Sequence, residues 1–259
     1  MKKIIIISFV AAVAANSFGQ DFSASLTKSW EGQLGVKATT GLGLQENASY
    51  SNVTTFTGFG YINGGATSTI TNLVADDLLT LSPSTAIESF SFTVANFDPT
   101  AFTARPRIRF YDDNAGTPGN ALVGYSFAPI SFGSGSVTIF TASITPGQLV
   151  IPASGKLWAG ITFDNASGST ATTANLNNLG QGLFNPPTQG SSTDLDFVTS
   201  SPGSWLSNNP TGSTRTSPFN NSPAANYGWA FTAVPESASF AVIGLGLLGL
   251  VTRRRKSSK

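Results

Sequence analysis

The sequence predicts an all-β protein, a single antiparallel β-sandwich or jelly-roll-like domain set between two apolar chain ends. Three observations point there. Short runs that alternate apolar and polar residues recur between clusters of Gly, Pro, Asn, Asp and Ser, the pattern of half-buried strands joined by turns. No sustained helical period competes with them, and no repeat of fixed length signals a solenoid. About 215 residues lie between the two ends, enough for one all-β core of ordinary size.

The N-terminal end reads as a signal peptide over residues 1–19. Met1, Lys2 and Lys3 form a short positive region, and residues 4–15 are an apolar run too short to span a bilayer. Small residues then offer two cleavage frames, Val13-Ala14-Ala15 and Ser17-Phe18-Gly19. Signal peptidase is thus an expected processing partner, leaving a mature chain that begins near Asn16 or, as the favoured frame, near Gln20.

Strands follow from the alternation across the body, residues 20–233. In Glu88-Ser89-Phe90-Ser91-Phe92-Thr93-Val94, the residues Phe90, Phe92 and Val94 share one face and Ser and Thr the other. Ile108 and Phe110 point inward from Arg107-Ile108-Arg109-Phe110-Tyr111, and Leu157, Ala159, Ile161 and Phe163 do the same further on. Val137 and Ile139 are expected inside with Thr138 outside, and Tyr227, Trp229 and Phe231 form the last strand. Weaker alternation marks residues 52–57, 68–73, 122–127 and 194–198. The stretch 182–225, rich in Asn, Pro, Ser, Thr and Gly, reads mostly as long loops.

The C-terminal end, residues 234–259, is built differently. Val234-Pro235-Glu236-Ser237 precedes a continuously apolar segment, and Arg253, Arg254, Arg255 and Lys256 close it. An uncharged apolar run stopped by four cations reads as a membrane helix over about residues 237–252 with its basic flank in the cytoplasm. At ~1.5 Å per residue the helix is about 24 Å long, slightly short of a ~30 Å hydrocarbon core. Gly244-Leu245-Gly246-Leu247-Leu248-Gly249 matches the dinucleotide-binding spacing. It lacks the acidic residue that the fingerprint requires ~20 positions on, because the chain ends ten residues later, and glycine is common in membrane helices.

This order of Pro-Glu, short apolar helix and arginine cluster resembles the PEP-CTERM sorting domain, also catalogued as the ice-binding protein C-terminal domain. The resemblance covers about the last 25 residues. Val234, Pro235 and Glu236 match the family's Val-Pro-Glu-Pro, with Ser237 in place of its second proline. The resemblance implies recognition by an exosortase in the inner membrane, a cut near the motif, and release or transfer of the body to the cell surface. Ala75-Asp76-Asp77-Leu78 and residues 110–119 look like segments of other exported β-sandwich proteins bearing this signal, a likeness that implies architecture and no activity.

Composition closes several classes of chemistry. The chain has neither His nor Cys, which removes Ser-His-Asp and Cys-His nucleophile systems, His or Cys zinc sites and disulfides. Half of the fourteen cations stand in the two ends, so the body holds seven cations against twelve acids, a formal charge of about −5. Such a balance excludes the phosphate neutralisation on which nucleic-acid binding rests.

Four features remain as candidate sites. Asp112, Asp113 and Asn114, followed by Ala115-Gly116, cluster oxygen ligands as calcium requires, and equally supply what an ordinary turn after a strand needs; the spacing is not that of an EF-hand. Asp76 and Asp77 share that ambiguity. Arg105, Arg107 and Arg109 alternate and project from one face, either toward an anionic polysaccharide or toward acids on neighbouring strands. Among the tryptophans, Trp158 falls on the face opposite Leu157 and Ala159, whereas Trp205, in the polar stretch, is the better candidate for stacking on a glycan.

The expectation is a non-enzymatic, exported protein without a cofactor, anchored in the membrane as a precursor and then placed at the cell surface or in the extracellular matrix. A carbohydrate- or calcium-binding module is the alternative. A glycosidase built on two carboxylates is the third reading, for which no rule selects a pair among the body's twelve acids.

Overall fold

The computed structural model describes residues 20–34, 41–42, 47–67, 69–202, 208–216 and 226–234. In chain order the strands are β1 (Asp21–Ser23), β2 (Leu26–Gln33), β3 (Ala48–Ser51), β4 (Phe56–Ile62), β5 (Val74–Leu79), β6 (Ile87–Asn96), β7 (Phe102–Asn114) and β8 (Thr117–Ser126). They continue as β9 (Ile130–Phe132), β10 (Ser136–Ser143), β11 (Lys156–Asp164), the short helix α1 (Thr173–Asn177), β12 (Leu179–Phe184), β13 (Ser191–Thr199), β14 (Gly212–Thr216) and β15 (Trp229–Ala233).

Two sheets result. The first runs β1-β8-β7-β11-β5-β13-β14, with β9 paired to the start of β7; the second runs β2-β10-β6-β12-β4, with β15 joining β6 to β3. Pairing is antiparallel throughout except for β1, which lies parallel to β8. The protein is therefore nearly all β, as the alternation predicts, with two sheets meeting in a sandwich-like core.

Aromatic rings join the sheets. Phe90 of β6 meets Phe110 of β7 at 5.2 Å between centroids and Tyr125 of β8 at 5.1 Å, and Phe110 also touches Phe231 of β15 at 5.5 Å. All four rings are at most 1% exposed. Each contributes roughly 2–3 kcal/mol of apolar burial, and in a chain without cysteine such burial stands in for disulfide bonds. Ile108, Leu157, Ala159, Ile161, Phe163, Tyr227 and Trp229 belong to the same core, on the faces the alternation assigns.

Strand β10 departs from expectation. Its Phe140 and Ala142 face the central core, and Thr138, on the same face, is 3% exposed rather than outside. Val137 and Ile139 instead pack with Val53, Phe56, Ala95, Phe184 and Ala230 in a second cluster, with Trp30 against it. A third cluster holds Leu73, Ala75, Tyr111, Ala121, Trp158 and Phe197, and Trp158 there is fully buried. Both faces of the central strands are thus covered in part, which is why a simple inside-outside alternation fails at β10.

Two strand assignments shift for polar reasons. Residues 52–55 interrupt the strand expected over 52–57, because the buried Asn52 amide donates to the carbonyls of Phe184 and Tyr227 at 2.7 and 3.2 Å. Of the strand expected over 68–73, the described residues 69–73 keep only an isolated bridge from Ile70 to Asp164, and β5 forms at Val74–Leu79 through the Asp76-Asp77 pair, whose carboxylates find donors on β13. The region expected as loops, 182–225, contains the end of β12 and all of β13 and β14.

Among the described residues no helix is long and apolar enough to cross a membrane. The expected signal peptide, the membrane segment, Pro235, Glu236, the cluster Arg253, Arg254, Arg255 and Lys256, and Trp205 all lie outside the described residues.

Candidate functional site

The arginine stripe is built by the alternation of β7. With Ile108 and Phe110 in the core, Arg105, Arg107 and Arg109 stand on the opposite face of the first sheet. Arg105 lies directly across from Asp164 of β11 and holds its carboxylate through Nε at 2.8 Å and Nη2 at 2.8 Å, a bidentate pair. Arg109 reaches over β8 to Asp21 of β1 at 2.5 Å. Gly124 is the register partner of both residues, and a Cβ there would overlap the Asp21 carboxylate, so only glycine leaves the ion pair its path.

Arg107 stands between these pairs. It donates Nε–H to Ser126 Oγ at 3.2 Å, and its terminal nitrogens lie 3.5 Å from Asp164 and 3.9 Å from Asp21. Burial lowers its pKa from the usual guanidinium range, and the neighbouring Arg105 and Arg109 act the same way, against Asp164 and Asp21. The acids on neighbouring strands foreseen as partners of the stripe are therefore Asp21 and Asp164. Three cations face two carboxylates, and the stripe stays locally positive.

Two depressions open beside it. One, of about 370 Å³, is lined by Thr69, Ile70, Arg105, Arg107, Asp164, Asn165 and Ala166. The other, of about 700 Å³, is lined by Ser23, Ala24, Ser25, Arg105, Ser126, Phe127, Ala128 and Ser143, where β1, β8 and β10 end. Arg105 borders both.

Asp112, Asp113 and Asn114 end β7 at a tight hairpin. The two central residues, Ala115 and Gly116, have φ of 51° and 85°, the doubly positive pattern of a two-residue β-hairpin loop. Asp112 accepts from the backbone and side-chain amides of Asn120 at 2.6 and 3.2 Å, while Asp113 accepts from Trp158 Nε1 at 2.9 Å and pairs with Lys156 at 3.1 Å. Burial tends to raise the Asp113 pKa, yet the bonds from Trp158 and Lys156 prevail and hold it below the usual carboxylate range. Asn114 donates to Asn209 at 3.3 Å. These oxygens serve the turn and the Trp158 cluster, and among the described residues no group of three or more acidic side chains is placed to hold a metal ion.

A fully buried polar cluster joins Asp76, which the sequence singles out together with Asp77, to Asp196, which it does not. Asp76 of β5 and Asp196 of β13 are register partners, and both are fully buried. Asp76 accepts from Tyr227 N–H and Ser192 Oγ, each at 2.9 Å; Asp196 accepts from the Tyr227 hydroxyl at 2.9 Å and from Arg215 at 2.5 Å. Arg215 in turn covers the Tyr61 ring at 4.9 Å. Burial pushes Asp76 well above the usual carboxylate range, reinforced by Asp77. For Asp196 the available signal is its place between Leu195 and Phe197 in a strand-like run; Asp76 stands between Ala75 and Asp77. Two carboxylates on hydrogen-bonded neighbouring strands, both sealed from solvent, leave no room for the sugar that a glycosidase pair must admit.

No family model, curated protein or solved structure matches the chain. Fold and site together define an all-β, two-sheet protein with a buried carboxylate pair and two open depressions on either side of Arg105.

Proposed function

We propose that this chain is an exported, non-enzymatic surface or extracellular-matrix protein whose jelly-roll-like body is held at the membrane by its C-terminal segment and freed by an exosortase-type cut near Pro235. One observation carries the reading. Strand β15 ends at Ala233, and the Val234 N–H still donates to Ala86 O at 3.0 Å, immediately before the Pro235-Glu236 motif. The last described strand of the two-sheet body thus ends immediately before the Pro235-Glu236 motif. At the other end β1 starts at Asp21, one residue after Gln20, the favoured start of the mature chain. The acidic balance of the body and the absence of His and Cys agree with a role outside nucleic-acid binding and common hydrolase chemistry.

Intact mass and terminal peptide sequencing of protein from the native host, with membrane, surface and medium fractions compared, test this. A mature chain from near Gln20 to near Pro235 in the surface or medium fraction is the expected result. A membrane-bound chain retaining Lys259 overturns the processing step.

A further inference from the structure

We propose that the trough on either side of Arg105 binds an acidic polysaccharide whose charge is carried by single carboxylates spaced along the chain, a polyuronate. The site rests on the folded body alone and stands apart from the processing of the tail.

Charge is the first reason. The body carries seven cations against twelve acids, yet three of those cations occupy one stripe faced by two aspartates, so a positive locus stands on a negative protein. Shape is the second. The depressions of about 370 and 700 Å³ lie on the two sides of Arg105, so a ligand that occupies both runs past that cation as along a trough. An open trough accommodates a polymer passing through, whereas a small ligand is ordinarily enclosed in a pocket.

The lining is the third reason. Ser23, Ser25, Ser126 and Ser143 border one side and Thr69 and Asn165 the other. Short hydroxyl and amide side chains lose little rotamer freedom on binding and match the hydroxyls of a sugar. Arg107 then provides the charge recognition. It walls the smaller depression with Asp164 and Asp21 at 3.5 and 3.9 Å, and its positive charge attracts an incoming carboxylate there. Asp21 and Asp164 set the upper limit on ligand charge, because both stand beside that guanidinium and repel a dianion more than a monoanion. Uronate carboxylates, one per sugar, meet that limit better than phosphate.

The full chain, purified in mild detergent, is run in native gels cast with polygalacturonate, with dextran or with dextran sulfate at about 0.15 M salt, where long-range surface attraction is screened. Polygalacturonate is expected to retard it and dextran not. Arg107→Gln is expected to weaken that retardation about tenfold. Ser25→Trp, which leaves every charge in place and fills the larger depression, is expected to weaken it by a similar factor, while Lys28→Gln on β2 of the other sheet changes nothing. An unfolding midpoint within the scatter of the parent shows that a variant is folded. Absence of retardation by polygalacturonate overturns the site, as does parental binding by both Arg107→Gln and Ser25→Trp. Equal retardation by dextran sulfate that ignores Ser25→Trp reduces the patch to unspecific charge and also overturns it. All of these outcomes leave the export reading untouched.

Discussion

Asp76 and Asp196 sit opposite each other on β5 and β13, and Tyr227 ties them together, giving its backbone N–H to the first and its hydroxyl to the second, both at 2.9 Å. The two acids are not equivalent. Asp196 has the Arg215 guanidinium as a charge partner, whereas the donors of Asp76 are neutral and burial with Asp77 beside it drives its pKa upward. Burial therefore favours Asp76 as a neutral acid, while Asp196 has the Arg215 guanidinium against it.

For Asp76 the pH dependence follows from linkage. An acid whose folded pKa lies above the unfolded value of ~3.9 keeps its proton longer in the folded chain, so its contribution is whole below about pH 4 and is lost as pH rises through the folded pKa. Asp76→Asn removes that titration while keeping one acceptor and gaining a donor. The variant is expected to be about 1 kcal/mol less stable than the parent near pH 4.5 and to match or exceed it near pH 7.5. Urea midpoints at the two pH values check this; an equal deficit at both sinks the neutral-acid assignment.

Asp98 titrates with the opposite sign. Its carboxylate accepts from Thr100 Oγ1 at 2.6 Å and Thr100 N–H at 2.9 Å, and from the side chains of Asn175 and Asn178 at 2.9 and 3.1 Å, bonds that hold its pKa far below the ordinary range. Here the folded pKa is depressed, so the stability is present above the unfolded pKa of ~3.9 and is lost as pH falls below it. Asp98→Ala leaves those four donors without their acceptor and is expected to cost about 2–3 kcal/mol at pH 7. The deficit should shrink in thermal melts taken stepwise from pH 5 toward pH 2; a deficit that stays constant refutes the ionic role.

How much of this was legible in the sequence depends on what each residue answers to. Phe90, Phe92 and Val94, and Leu157, Ala159, Ile161 and Phe163, obey period two because one face of each strand fills the shared core. Val137 and Ile139 obey the same period on the other face, since Phe56 and Phe184 cover it. Alternation reports parity, not which face is the deeper one. The arginine stripe and its pairing with acids were readable from spacing, but Asp21 and Asp164 as the partners depend on β1 lying parallel to β8 and β11 pairing with β7. Asp76 and Asp196 lie 120 positions apart and become neighbours only through the β5–β13 register, which no local pattern encodes.

Trp158 offers a test of the third cluster. It is fully buried on the face away from the main core, its Nε1–H donates to Asp113, and Lys156 lies 5.9 Å above its ring. Trp158→Phe keeps much of the apolar contact and deletes the donor, so the expected loss is about 1–2 kcal/mol. In an Asp113→Ala background the same substitution should cost less, because the acceptor it orphans is gone. A double-mutant cycle in denaturant measures the coupling, and strictly additive losses contradict the bond's contribution.

Gly124 is where the backbone itself admits an ion pair. The chain of register runs Asp21 on β1, Gly124 on β8, Arg109 on β7, and the two charged side chains meet above the glycine while Arg109 stays 2% exposed. A Cβ at Gly124 would overlap the Asp21 carboxylate and crowd Arg109 Nη2 at 3.0 Å, so Gly124→Ala must push the carboxylate aside and leave a buried guanidinium short of its counter-charge. Breaking a fully buried pair costs ~3–5 kcal/mol. Because Asp21 is 36% exposed, solvent takes up part of that, and about 2 kcal/mol is expected. Asp21→Ala alone should cost a similar amount, and the double variant little more than either, since both remove the same contact. Unfolding midpoints of the three variants decide it. If Gly124→Ala matches the parent, the carboxylate has another way to reach Arg109, and the glycine is there for strand pairing rather than for the ion pair.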